Sequence, residues 1–274
     1  MSARFTLKDN ILWQLPAIGS FKSMSYCIRT TDGQHFIIDG GGIHEAQYLK
    51  EFIKLNLDGR VDAWFITHPH KSHAGAFVKL IESGEISVGK IIYSYLDPEI
   101  VNKYEQDGAS DVKVFNNTVK LSKVSSVRVR NGDRLKLGKS IIKIISPQNL
   151  ETTRNYLNNN SVIYKFNFKS KSILFLGDID ANAGTSLMTS YKDELKSDIL
   201  QMSHHGYYGA SNELYEIISP DICLWPTRKE LWPDCSGTQT NESESIRSTY
   251  EFMQSLGITK HYISGIDGLT EIRF

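Results

Sequence analysis

Three histidines, His68, His70 and His73, fall within six positions in the stretch FITHPHKSHAGAF, residues 65–77. They directly follow the apolar run VDAWFI (61–66), which reads as a strand, and they lead into AGAFVKLIES (74–83), which reads as a helix. Neutral imidazole suits zinc and other first-row divalent ions. An extended loop points residues spaced by two in the same direction, so His68 and His70 face one way, while His73 opens the helix and approaches from another side. Helix amphipathicity does not produce this spacing. A second pair, His204 and His205, follows the apolar run DILQM (198–202), and ILFLGDID (173–180) ends a third run in Gly177-Asp178. A carboxylate in that place either caps the next segment or reaches into a site. Strand ends of α/β sheets are where loops converge over a rigid platform, so the clusters point to a metal site that also draws in Asp178 and His204.

The elements that must position these residues alternate along the chain. Strand-like runs cover 25–30, 35–40, 61–66, 90–95, 125–130, 140–146, 161–168, 172–177, 198–203, 221–226, 261–264 and 269–274. Residues 161–178 read as a hairpin. Helical spacing appears in 44–56, 74–83, 212–219 and 243–257, the last with Gly257 as a C-cap. Residues 149–161, NLETTRNYLNNNS, read as a polar loop. The pattern predicts an α/β protein with mixed sheets. With no Pro/Gly/Ser linker and no repeat, the expectation is one domain, residues 1–274, of two similar halves, about 1–120 and 121–274.

Composition excludes several classes. Lys plus Arg equals Asp plus Glu, 31 each, so no global field draws nucleic acid or an anionic membrane to the chain. No run approaches the roughly 20 apolar residues that span a bilayer. The start, MSARFTLKDNILWQLP, lacks the pattern of a secretory leader, so a cytoplasmic location is expected. Cys27 and Cys223 sit in apolar runs and read as small buried hydrophobes, and Cys235 forms no C-x-x-C pair with either. No G-x-S-x-G elbow, P-loop or dinucleotide fingerprint competes with the histidines.

His68-x-His70-x-Ser72-His73, followed by Gly75, resembles the H-x-H-x-D-H motif of the metallo-β-lactamase-fold hydrolases. HFIIDGGG (35–42) is similar to that family's early strand ending in Asp-Gly. NNNSVIYKFNFKSKSILFLGDID and SDILQMSHHGYYGAS resemble later motifs of one branch, which includes the soluble domain of competence DNA-uptake proteins and phosphorylcholine esterase. The resemblance runs from roughly residue 20 to 226, with the motifs in the family's order. It implies a four-layer αβ/βα sandwich with metals at one edge, where the halves meet. It further implies His68 and His70 on a first ion, His73 and His204 on a second, and Asp178 bridging them. Zn2+ is the expected cofactor, as one or two ions, with Mn2+ or Fe2+ as alternatives. Asp178 also orients the nucleophilic water under this reading, and His205 either supports the site and substrate or is a packed neighbour. Asp39 either supports the site or is a turn carboxylate.

Two departures keep two functions open. Ser72 stands where the family has an aspartate that ligates the second metal in many members, and Lys71 beside it adds positive charge. No histidine lies in PQNLETTRNYLNNNS, where many members supply a further ligand to the first. One reading is a metal-dependent hydrolase of a phosphodiester or related ester, with a small-molecule or phosphodiester substrate; nucleic acid is not favoured by charge. The other is a catalytically impaired protein of the same fold with a binding or regulatory role. Tyr207 and Arg228 are the candidate substrate contacts. Trp225 and Trp232 complete an aromatic-plus-cation wall or are core-edge residues, and Tyr93, Tyr95 and Tyr208 either reach the site or pack.

Overall fold

Tyr26, Ile28, Phe36, Ile38 and Phe65 pack to one side of their strands, and the alternating Cys27, Ile37 and Trp64 to the other, all fully buried. Strands buried on both faces lie inside a layered structure, with a sheet or helices against each face. The structure, a computed structural model, describes residues 8–18, 22–145, 152–233, 235 and 239–274. The first residues of the N-terminal stretch (1–7) and of the polar stretch (149–151), and residue 146, lie outside the described residues.

Two seven-stranded sheets form. The first has the spatial order Thr270–Arg273, Ile11–Gln14, Ser25–Arg29, His35–Asp39, Ala63–Phe65, Lys90–Tyr93 and Ser125–Arg128. The second runs Lys260–Ile263, Ile222–Trp225, Ile199–Gln201, Ser172–Phe175, Tyr164–Asn167, Ser140–Ile144 and Arg134–Leu137. Each is antiparallel on one side and parallel on the other, as a mixed pattern of hairpins and helical crossovers requires. The expected hairpin is present, with Tyr164–Asn167 antiparallel to Ser172–Phe175. Helices Ala46–Asn56, Lys71–Ser83 and Gln106–Leu121 cover the outside of the first sheet through Leu49, Phe52, Phe77 and Phe115. Ala181–Leu195, Asn212–Ile218 and Asn241–Ser255 cover the second through Leu187, Leu214, Ile246 and Met253. The inner faces share one core, so the layers are αβ/βα, as the resemblance implies. Among the described residues, no helix is long and apolar enough to cross a membrane.

The shared core is rich in aromatic edges. Phe65 meets Phe166 at 5.0 Å and Tyr164 at 5.2 Å between ring centroids, both T-shaped. Tyr164, from the second sheet, also sets its hydroxyl 2.9 Å from Ile66 O and 3.2 Å from Ile92 O of the first. Tyr164→Phe leaves the ring in place and removes only this tie. It is expected to destabilise the protein by about 1–3 kcal/mol in urea unfolding, with an unchanged m-value.

Residues 156–160 do not form the loop that their polarity suggests. Tyr156–Asn159 is a short buried helix, because the asparagine amides bond local carbonyls and the Asp180 carboxylate. Asn160 Nδ2 donates to Tyr156 O, and Asn159 bonds Arg154 O and Asp180.

Candidate metal centre

Four strand ends meet at one edge of the sandwich. Asp39 ends His35–Asp39, Thr67 and His68 follow Ala63–Phe65, Asp178 follows Ser172–Phe175, and His204 and His205 follow Ile199–Gln201. Across the two sheets, Val162 N donates to Thr67 O at 2.7 Å, and within the second His204 N donates to Gly177 O at 3.1 Å. Gly177 has φ +59, and a Cβ there would stand 2.7 Å from Ser161 Oγ, so only glycine lets the chain turn Asp178 inward. Of the two carboxylates in GDID, Asp180 caps helix Ala181–Leu195 through Asn182 N and Ala183 N, and Asp178 enters the site.

One oxygen is the focus. Asp178 Oδ2 lies 3.1 Å from His73 Nε2, 3.3 Å from His205 Nε2 and 3.9 Å from His68 Nε2. The other nitrogen of each ring is held by oxygen. His73 Nδ1 donates to Asp39 Oδ2 at 2.7 Å, and His205 Nδ1 donates to Pro226 O at 2.9 Å. His68 Nδ1 faces Thr67 Oγ1 and Ser161 Oγ, each at 3.2 Å. Thr67 spends its proton on Asp39, so its oxygen accepts from His68. With their Nδ1 atoms donating, the three rings turn Nε2 lone pairs toward a carboxylate, an arrangement that calls for a positive charge among them. His70 stands beside His68 rather than against the carboxylate. Its Nε2 donates to Glu105 Oε1 at 2.7 Å, leaving Nδ1 3.0 Å from His68 Nε2.

These distances suit a divalent ion. Ligands about 2.0–2.2 Å from a tetrahedral ion stand roughly 3.3–3.6 Å apart. The ligand atoms of His68, His73 and Asp178 all lie within 4.8 Å of one another. Asp178 Oδ1 and His204 Nδ1 are buried with no hydrogen-bond partner among the described residues, which leaves coordinating or bonding capacity unused.

The electrostatics agree. Burial opposes charge on Asp178, but His73 and His205 hold its carboxyl well below the usual carboxylate range. Burial, then the charge of His73, pushes His68 well below the ordinary histidine value. Burial likewise lowers His204. For His73 burial works in the same direction, yet Asp178 and Asp39 outweigh it and hold its pKa above the ordinary value. A proton on His73 and a metal ion are therefore alternatives beside the same carboxylate.

Of the histidine pair it is His205 that presents Nε2 to Asp178; His204 sits beside it with Nε2 3.3 Å from Asn158 Nδ2. Both have left-handed backbone, φ 52 and 57, so the turn itself decides which ring enters. His70, Ser72, Asp178, His204, His205, Tyr207 and Arg228 line a cleft of about 520 Å³, together with Lys22, Lys71 and Asn158. Tyr207 stacks under Lys22 Nζ, 4.2 Å from the ring centroid, and Lys22 pairs with Glu242 at 3.2 Å. Trp225 and Trp232 instead pack together in the outer core of the second sheet, at 5.4 Å. Tyr93 is buried and accepts from Arg128 Nε, Tyr95 lies under the same guanidinium, and Tyr208 is exposed. Sequence reasoning did not single out Glu105, Asn158 or Lys22. Glu105, in NKYEQDG, reads as one more solvated charge.

No protein-family model and no curated protein sequence matches the chain. Solved structures do match. The metallo-β-lactamase fold protein YhfI from Bacillus subtilis is similar with TM-score 0.59 and 11% identity, over 97% of this chain and 100% of that one. Igni18, a metallo hydrolase from the hyperthermophilic archaeon Ignicoccus hospitalis, is similar with TM-score 0.56 and 10% identity, over 97% and 99%. CmlA, a diiron β-hydroxylase from Streptomyces venezuelae, is similar with TM-score 0.59 and 14% identity, over 97% of this chain and 54% of that one. The chain thus has the metallo-β-lactamase fold. Two of these neighbours are, by name, a metallo hydrolase and a diiron enzyme, and neither description is carried to this chain by the fold alone.

Proposed function

We propose that the chain is a metal-dependent hydrolase of a phosphodiester or related ester, from the branch of the fold that its later motifs resemble. The observation that carries this is the convergence of imidazole nitrogens, each with its other nitrogen anchored, on Asp178 Oδ2. His68 and His70 would hold one ion, His73 and His205 a second, and Asp178 both, with His204 at the rim beside Asn158. Zn2+ suits this nitrogen-rich set, and Mn2+ or Fe2+ are alternatives. When bound, such an ion supplies Lewis acidity and water that is acidic near neutral pH.

The chain's own residues supply the rest. Asp178 Oδ1 has no hydrogen-bond partner among the described residues and is placed to accept a hydrogen bond from the attacking water. Pro226 O holds His205 in one tautomer, so that ring keeps a fixed aim on the carboxylate. Lys22, Lys71 and Arg228 line the cleft and offset the charge of a phosphoryl group, while the buried Tyr207 ring seats Lys22 rather than substrate.

One observation favours the second reading, an impaired protein that binds without turning over. Ser72 lines the cleft beside Lys71 and brings no charge to the ions. Elemental analysis and turnover of bis-p-nitrophenyl phosphate, by the unaltered chain and by Ser72→Asp, separate the two. Bound metal with turnover in the unaltered chain is the expected result. An unaltered chain with neither, and both gained by Ser72→Asp, establishes the impaired form instead.

A further inference from the structure

We propose that Glu105 is a positioning residue that sets the tautomer of His70 and so makes His70 Nδ1 a metal-binding atom, an inference that rests on the centre proposed above. Glu105 lies between helices Pro98–Tyr104 and Gln106–Leu121, far in sequence from either histidine cluster. Both of its oxygens are committed. Oε1 accepts from His70 Nε2 at 2.7 Å, and Oε2 accepts from Leu157 N at 2.9 Å. An ionised carboxylate has no proton to give, so His70 must donate through Nε2 and keep its lone pair on Nδ1. That lone pair is the one that faces His68 Nε2 at 3.0 Å.

Three further features show that the contact is built in. His70 stands at the N-cap position of helix Lys71–Ser83, yet its side chain makes no capping bond and is left to Glu105 and His68. Gly108, inside the next helix, makes room: a Cβ there would lie 3.0 Å from Glu105 Oε1 and 3.0 Å from Leu157 Cδ2. Glycine weakens a helix interior, and here it lets the carboxylate lie against the backbone. Finally, Leu157 belongs to the short helix whose Asn158 Nδ2 reaches His204 Nε2 at 3.3 Å. One carboxylate therefore ties the His70 side of the cleft to the His204 side.

Glu105→Gln is the discriminating change. The amide keeps the size and an oxygen for Leu157 N, but offers N–H to His70. His70 Nε2 must then accept, and its proton moves to Nδ1, where it blocks the nitrogen that faces His68. Glu105→Asp keeps a carboxylate and serves as the conservative control. The ring tautomer is read in metal-free, 15N-labelled protein by long-range 1H–15N correlation in mildly alkaline buffer, with His70 assigned by its loss in His70→Asn. Zn2+ affinity is read on the same samples by competition with a chromophoric chelator, alongside thermal unfolding. The expected result is an unprotonated Nδ1 in the unaltered chain and in Glu105→Asp, and an unprotonated Nε2 in Glu105→Gln. Zn2+ affinity should fall about 10- to 100-fold in Glu105→Gln, the usual effect of losing such a partner, with recovery in Glu105→Asp. A Gln variant with the unaltered tautomer and affinity, or one that only loses thermal stability, overturns the proposal. A chain that takes up no Zn2+ at all, yet shows the tautomer swap, removes the proposed centre instead, so the two failures are distinct.

Discussion

Asp178→Asn is expected to leave the chain folded and unable to hold a divalent ion. The substitution keeps the side chain's size and removes the one negative charge on which three imidazoles converge, at 3.1, 3.3 and 3.9 Å. Asp178 is almost fully buried in the cleft wall, so solvent screens its charge only weakly. The new amide N–H2 can donate to imidazole nitrogens, so the metal-free fold keeps its local bonds. Metal content by elemental analysis should fall to background. Zn2+ affinity should drop by more than the about 10- to 100-fold that loss of a supporting partner costs. Turnover of bis-p-nitrophenyl phosphate should vanish with it, while the circular dichroism spectrum is retained. A variant that loads metal as fully as the unaltered chain would move the ion elsewhere.

Asp39→Ala is expected to have the largest effect on stability. Asp39 is completely buried, with φ +56, and accepts from Thr67 N, Thr67 Oγ1 and His73 Nδ1, each at 2.7 Å. Truncation leaves the His73 N–H and the Thr67 backbone N–H buried without an acceptor, and removes one of the two carboxylates beside His73. Breaking a buried pair in this way costs about 3–5 kcal/mol, measured as a shift of the urea midpoint. Asp39→Asn separates packing from orientation. It retains an oxygen for Thr67 N, so it should lose less stability than Asp39→Ala and still bind Zn2+ about 10- to 100-fold more weakly than the unaltered chain. Equal stability in Asp39→Ala and the unaltered protein would reduce Asp39 to a turn residue.

The parts of this centre that were legible in the sequence are those whose spacing is abnormal for a core. His68, His70 and His73 after an apolar run have no packing explanation, and Gly177-Asp178 ends a strand. The resemblance implies His204 as the ligand of the pair, whereas His205 is the one that presents Nε2 to Asp178, because adjacent residues in a left-handed turn are aimed by φ and ψ, not by periodicity. Glu105 was hidden for a related reason. The helix it precedes, Gln106–Leu121, is rich in asparagine, valine and aspartate and holds Gly108, all weak helix formers, which mask the stripe Val112, Phe115 and Val119. Packing against Phe77 and Tyr93 overrides that weak propensity. Helix Ala181–Leu195 is similar, since small and polar residues dilute its apolar stripe. Strand Ile11–Gln14 is a four-residue run in the N-terminal stretch. It pairs with both Ser25–Arg29 and Thr270–Arg273, and this brings the last strand of the chain into the first sheet. Such a long-range closure leaves no local mark in sequence.

The most direct test is an anomalous difference map, recorded at the zinc absorption edge from crystals grown with Zn2+. Peaks about 2.0–2.2 Å from His68 Nε2, His73 Nε2 and an Asp178 oxygen are the expected result. A map whose only peaks lie outside this cluster, with the imidazoles turned as before, would contradict it.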